Sequence, residues 1–305
     1  MADSDRGVKA DKALFMEGLV LVFIAAALFG FHTTFVKLAY EMGSNVHQVL
    51  FYEFFLGSII LLFFARKQLS LMRGLRRREW IRLSLWAVFG AGGTAVCLYR
   101  SIQLIPVALS IVLLFQYLFW VFLLDFLCDR KKPAPRQVCA LVLILIGTIA
   151  ATRVWAIDWG VLRLEGIAFG VASGITYGSF LFFAKGMGTI GTPVVRSLSV
   201  CALIAGLTGL TGLLRPEAVF LLSTASPERL FLLLIALALM GQVIPMFSFS
   251  KGIPLVGGPV AGVVASIELP IAAVASFLFL GEALMPLQWL GVALITVAVV
   301  LANLK

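Results

Sequence analysis

The chain has 305 residues, of which 61% are hydrophobic and 13% charged, with a mean hydropathy of +1.06 and a formal net charge of +9. A water-soluble fold of this size cannot bury so much apolar surface. The composition therefore excludes a soluble enzyme, a secreted disulfide scaffold and a disordered chain, and points to an integral membrane protein.

Ten apolar runs are each long enough for a membrane-spanning helix, which takes about 20 residues. The spacing predicts helices 1 to 10 over residues 16–38, 47–65, 81–103, 106–127, 137–153, 165–185, 194–213, 229–250, 258–280 and 286–304. Helix 1 is too long for a signal peptide and is expected to be retained. It carries His32, Thr33 and Thr34 in its outer half. Helix 2 carries Glu53, placed to pair with His32 or Lys37 or to bind a cationic substrate. The basic loop from Arg73 to Arg82 is expected to set topology and touch anionic lipid heads. Helix 4 follows Pro106 and carries Gln116 and Tyr117, with Trp120 one turn on. Helix 6 has Gly170, Gly174 and Gly178 on one face, a pattern that lets helices approach closely, with Tyr177 beside them. In helix 8, Pro245 and Pro254 deprive the carbonyls of Gly241 and Ser250 of their partners, and Gln242 lies between. Helix 9 carries Glu268 near the bilayer midplane, with Pro270 two residues later depriving the Ser266 carbonyl.

Counting bases tests the topology. With the N-terminus inside, 18 of the 24 Lys and Arg residues fall on the cytoplasmic side and 6 on the other. That bias predicts both termini in the cytoplasm and a multi-pass protein of the cytoplasmic (inner) membrane. The basic excess is thus loop charge, and no nucleic-acid partner is expected. Trp80, Trp155, Trp159 and Trp289 fall near span ends, the depth at which indoles settle.

No enzyme constellation is visible: the chain has two histidines, His32 and His47, four cysteines without metal-ligand spacing, and no phosphate-binding loop. No cofactor and no metal site are expected. The chemistry rests on polar groups within the spans, because an ionisable side chain in a bilayer is costly. Candidates for substrate binding are His32, Gln116, Tyr117, Trp120, Tyr177, Gln242 and Glu268. Candidates for a coupling ion, protons included, are Glu268, Glu53 and His32. Pro245, Pro254 and Pro270 are candidate kinks or gates, since transporter sites are built at interrupted helices. For each of these residues a purely structural role, as a packing or hydrogen-bonding group, stays open.

The chain also repeats. At an offset of 148 residues Glu17-Gly18 meets Glu165-Gly166, Phe29-Gly30 meets Tyr177-Gly178, and Lys37 meets Lys185. At an offset of 153, Pro106-Val107-Ala108 meets Pro259-Val260-Ala261 and Asp129 meets Glu282; Pro135 and Gln137 then meet Pro286 and Gln288. The reading is a first repeat over 1–153, a linker over 154–164 and a second repeat over 165–305. Five helices per half is an odd number, so the second half enters the membrane inverted. The fold class expected is an all-α integral membrane protein of ten transmembrane helices in two inverted five-helix repeats.

The second half contains Ser266-Ile267-Glu268-Leu269-Pro270, then Leu280-Gly281-Glu282, then Gln288-Trp289-Leu290-Gly291. In these residues the chain resembles the EamA repeat of the drug/metabolite transporter superfamily. That repeat pairs a Glu with a Pro in its fourth helix, ends that helix in Gly-Glu and opens its fifth with Gln-x-x-Gly. The first half departs from the pattern: Phe115 and Tyr117 stand where the Glu and Pro would be, Asp129 replaces the Glu, and Glu53 sits near a common arginine position. The resemblance implies a ten-helix secondary transporter working by alternating access, not an enzyme. It leaves the substrate open. Export of an amino acid or related metabolite is the leading expectation. Proton-coupled or exchange uptake of such a solute is an alternative. So is translocation of a lipid or other amphiphile, which a lateral opening between helices would favour. A small-molecule substrate and membrane lipids are the expected partners, and monomer and homodimer both stay open.

Overall fold

The computed structural model describes residues 2–105, 107–130, 133–152, 155, 163–221, 226–280 and 285–303. Pro106, Trp159, Glu282 and most of the expected linker lie outside the described residues. Apolar helices form where the runs predict them. They are α1 (Ala2–Glu41), α2 (Val46–Ala65), α3 (Arg77–Ile102), α4 (Leu109–Asp129), α5 (Pro135–Thr152), α6 (Leu164–Met187), α7 (Pro193–Leu214), α8 (Pro227–Val256), α9 (Gly258–Phe279) and α10 (Pro286–Asn303). Among the described residues nine helices are long and apolar enough to cross a membrane, and α10 adds a shorter apolar stretch, Pro286–Leu301. This is an all-α membrane protein.

Local sequence explains several helix starts. Asn45 and Gln48 form a capping box at α2, each side chain accepting from the other residue's backbone N–H at 3.0 and 2.9 Å. Thr192 caps α7 with Pro193 at the first helical position, where a missing N–H is harmless.

The irregular stretches come in pairs, one per half. A π-helical segment, Trp86–Gly92, interrupts α3, and another, Ala238–Val243, interrupts α8. Helix α4 breaks at Gln116, between Val107–Phe115 and Tyr117–Asp129. Helix α9 breaks at Ser266–Ile267, between Gly258–Ala265 and Glu268–Leu280. The helix-9 break therefore lies ahead of Pro270, which takes the third position of the new piece, where it deprives no intrahelical carbonyl of a partner. The Ser266 carbonyl accepts from the Leu269 N–H at 3.3 Å instead. Pro245 likewise falls at the second position of Ile244–Val256, just after its π segment, while Pro254 sits inside that helix.

Packing follows the same pairing. Helix α1 lies against α8 and α9, and α6 lies against α3 and α4. Helix α2 packs on α7, and α5 on α10. Exchanging the two halves returns this set of contacts to itself. Without a hydrophobic force between helices in lipid, close approach of small residues holds such a bundle. Gly147 and Gly291 supply it for α5 and α10: a Cβ on Gly291 would sit 2.5 Å from the Ala151 nitrogen. The Gly170-Gly174-Gly178 face is used inside the bundle, against Leu113, Gln116 and Trp120 of α4.

Candidate functional site

Two polar clusters lie in the interior. The first joins α1, α2 and α8. Glu53 is 0% exposed, and its Oε1 is 2.6 Å from His32 Nε2. Gln242 Nε2 donates to the other carboxylate oxygen at 3.3 Å. Residue 241 must be glycine for this to assemble, because a Cβ there would lie 2.5 Å from His32 Nε2. The π segment of α8 carries both Gly241 and Gln242, in keeping with the tendency of such bulges to occur at special sites. Glu53 thus pairs with His32 as one of its expected alternatives had it.

The second cluster joins α4, α6 and α9 around the two helix breaks. The Tyr117 hydroxyl donates to the Gly262 carbonyl at 2.9 Å, tying one broken helix to the other. Its ring meets Tyr177 edge-on at 4.7 Å between centroids. Glycines 174 and 178 let Gln116 and Trp120 press against α6 on either side of Tyr177. Gln116 Nε2, Trp120 Nε1 and Tyr177 Oη are all buried and lack a hydrogen-bond partner among the described residues. Such groups are scarce in folded proteins because each forfeits its hydration for nothing. Glu268 opens the second piece of α9, within electrostatic reach of Tyr117, Tyr177 and His32, and among the described residues no donor sits on its carboxylate.

Aromatic rings connect the clusters. Tyr177 stacks on Phe180 at 6.3 Å, Phe180 meets Phe249 at 6.3 Å, Phe249 meets Phe29 at 5.7 Å, and Phe29 meets His32 at 6.3 Å. The structure thereby brings the predicted residues of helices 1, 2, 4, 6, 8 and 9 into one interior region.

Arg196 is a polar group of the interior that the sequence pattern did not single out. It is buried in α7 and donates to the carbonyls of Ile190 and Gly191, each at 3.1 Å, and of Ser250. The Ser250 carbonyl is the one that Pro254 strips of its helical donor. That proline, four residues on, was the available signal. Among the described residues no group of three His, Cys, Asp or Glu side chains gathers as for a metal.

The sequence profile of the EamA-like transporter family matches residues 16–153 and again 164–304. The chain belongs to the EamA-like transporter family. Two relatives are each 24% identical to it and are described as uncharacterized transporters. One is sll1319 of Synechocystis sp., aligned over 94% of this chain and 93% of its own length. The other is YcbK of Bacillus subtilis, aligned over 90% of this chain and 88% of its own length. A crystallographically solved chain, 15% identical, superposes with a TM-score of 0.77 over 94% of this chain and 96% of that one, a likeness of fold alone. This EamA-family chain is thus a multi-pass membrane transporter, not an enzyme, and takes a small-molecule substrate in a lipid environment.

The motif residues of the family have visible structural work in this transporter. Gln288 accepts from the Met285 N–H at 3.0 Å, starting α10, and donates to the Ala151 carbonyl of α5 at 3.0 Å. Gln137 makes the matching cap in the first half, accepting from the Ala134 N–H at 2.9 Å. Tyr117 stands where the second repeat has Pro270, and it reaches across to the α9 backbone instead.

Proposed function

We propose that this protein is a secondary transporter that exports an amino acid or related metabolite across the cytoplasmic membrane by alternating access. Its two repeats, 1–153 and 165–305, rock as inverted halves around the paired breaks of α4 and α9, with both termini in the cytoplasm. One observation carries the reading: three buried donors without partners, Gln116 Nε2, Trp120 Nε1 and Tyr177 Oη, lie around the same breaks as the unbonded carboxylate of Glu268. An indole N–H and an amide NH2 only donate, and an ionised carboxylate only accepts. A ligand that satisfies both ends carries acceptor oxygens at one end and an ammonium at the other. The α-amino acids are the smallest common solutes of that kind.

Glu268 also supplies a coupling step. A proton taken up at this carboxylate on one side of the membrane displaces the substrate ammonium, and its release on the other side resets the site. The His32–Glu53–Gln242 cluster holds α1, α2 and α8 together during the cycle. The test is a screen of radiolabelled amino acids in proteoliposomes, with and without a pH gradient. Saturable counterflow of at least one amino acid, with net flux that responds to the gradient, is the expected outcome. Glu268→Gln, which resembles the protonated acid that releases the ammonium, is expected to lose most counterflow of the same solute together with its response to the gradient. Gradient-driven flux that survives in folded Glu268→Gln removes Glu268 from coupling, and a panel without counterflow removes the amino-acid assignment.

A further inference from the structure

A cavity of about 820 Å³ lies outside the polar clusters, between α3, α4 and α6 at the end of the bundle that carries the basic loop. Its inner wall is Trp86, fixed by its indole N–H donating to the Phe180 carbonyl at 2.9 Å and by a parallel stack on the Phe180 ring at 4.7 Å. Its flanks are Phe89 and Phe183, which are 65% and 49% exposed and face the space that lipid fills around a membrane helix. The cavity therefore opens sideways. At its polar end stand Arg82, Lys185, Asp125 and Asp129. Lys185 Nζ is 3.5 Å from Asp129 Oδ2, and both aspartates have partners. Arg82 is exposed and makes no ion pair among the described residues, and its guanidinium lies over Gly186 in the last turn of α6.

We propose that this cavity is a binding site for one anionic phospholipid, whose phosphate is held by Arg82 and whose acyl chain lies along Phe89 and Phe183. The charge argument is specific. The other charges at the mouth are engaged, so the group available to a ligand is a guanidinium, whose planar fork matches phosphate oxygens. The geometry is equally restrictive. The cation sits at the rim and the apolar wall runs inward from it, the order in which a phospholipid presents its head and chain at the interface. A bound lipid chain would rest on the Trp86–Phe180 pair, which is joined to Tyr177 through the Phe180 ring at 6.3 Å. The lipid would thus buttress the wall between the membrane and the interior site without entering it.

The test is native mass spectrometry of the full-length protein released from nanodiscs of mixed phosphatidylglycerol and phosphatidylcholine. One phosphatidylglycerol is expected to survive activation that strips phosphatidylcholine. Arg82→Gln is expected to bind that lipid about tenfold more weakly, on the scale of one lost charge-assisted pair. Arg78→Gln, in the same basic segment but outside the cavity, is expected to leave it in place. Ser179→Trp, which fills the cavity from α6, is expected to expel the lipid. Equal retention of the two lipids, or equal loss in the Arg82 and Arg78 variants, overturns the proposal, because generic attraction to a basic protein then suffices. Retention in Ser179→Trp also overturns it, since the phosphate is then held on the surface rather than at the cavity. Displacement by millimolar glycerol phosphate shows a site for soluble phosphate compounds and overturns the lipid as occupant.

Discussion

The two interior clusters differ in one respect that separates holding from working. At α1, α2 and α8, the buried carboxylate of Glu53 has a partner on each oxygen, His32 at 2.6 Å and Gln242 at 3.3 Å. At α4, α6 and α9, Gln116, Trp120 and Tyr177 each bury a polar atom with no partner among the described residues, and Glu268 stands unbonded beside them. The halves pack alike, so the difference is not one of fold. Gln242 Oε1 in the first cluster is also buried without a partner among the described residues, so the contrast lies in the charged groups: Glu53 is paired on both oxygens and Glu268 on neither. On the proposed function, the first cluster holds the helices and the second recognises the substrate.

The largest expected effect falls on the side of the paired carboxylate. Glu53→Leu leaves His32 and Gln242 buried without their acceptor, and removal of one member of a buried pair costs about 3–5 kcal/mol. The thermal midpoint of the purified protein in detergent should fall sharply. The double variant His32→Leu/Glu53→Leu should cost less than the sum of the two single changes, because the uncompensated group is gone. Equal and additive losses would mean that the contact does not hold the helices.

Gly241→Ala comes next. Its methyl must displace the His32 ring, at an overpacking cost of about 1–3 kcal/mol in the same thermal assay. Gly262→Ala, beside the Tyr117 ring in the second cluster, is its counterpart. There a Cβ meets its nearest neighbour, Leu118, at 3.4 Å, so the midpoint should move by less than about 0.5 kcal/mol. A larger loss at 262 than at 241 would reverse the comparison.

How much of this was legible in the sequence follows from which physical rule each feature obeys. The spans were readable because bilayer thickness dictates length and apolarity; their predicted limits agree with the helices to within about six residues, except that α1 begins at Ala2 and not at residue 16. The pair His32 and Glu53 was readable because intramembrane charges are few and seek each other. The α4 break at Gln116 was not, since no proline or glycine marks it, and neither was the π segment of α3. Both are settled by tertiary packing against α6, where Gly174 and Gly178 admit the α4 backbone. Pro270 pointed to the turn that breaks: the Ser266 carbonyl, which the proline cannot reach with an N–H, lies at the break and accepts from the Leu269 N–H instead. Gln288 and Gly291, which carry much of the family resemblance, start α10 and seat it on α5. Residues of that kind report the fold. Gln116, Trp120 and Tyr177 belong to no family motif; the sequence offered them as polar groups within the spans, and the structure adds that each buries an atom without a partner among the described residues.

The central claim is that the partnerless donors recognise substrate and do little for stability. It is tested most directly by measuring thermal midpoint and amino-acid counterflow on the same preparation of Tyr177→Phe/Trp120→Phe. Removing polar groups that have no partner should leave stability within about 0.5 kcal/mol of the parent, or raise it. Losing two substrate contacts should weaken counterflow by about tenfold or more at subsaturating substrate. A variant that is clearly destabilised yet transports at the parent rate would show that these groups hold the bundle together, and would contradict the account.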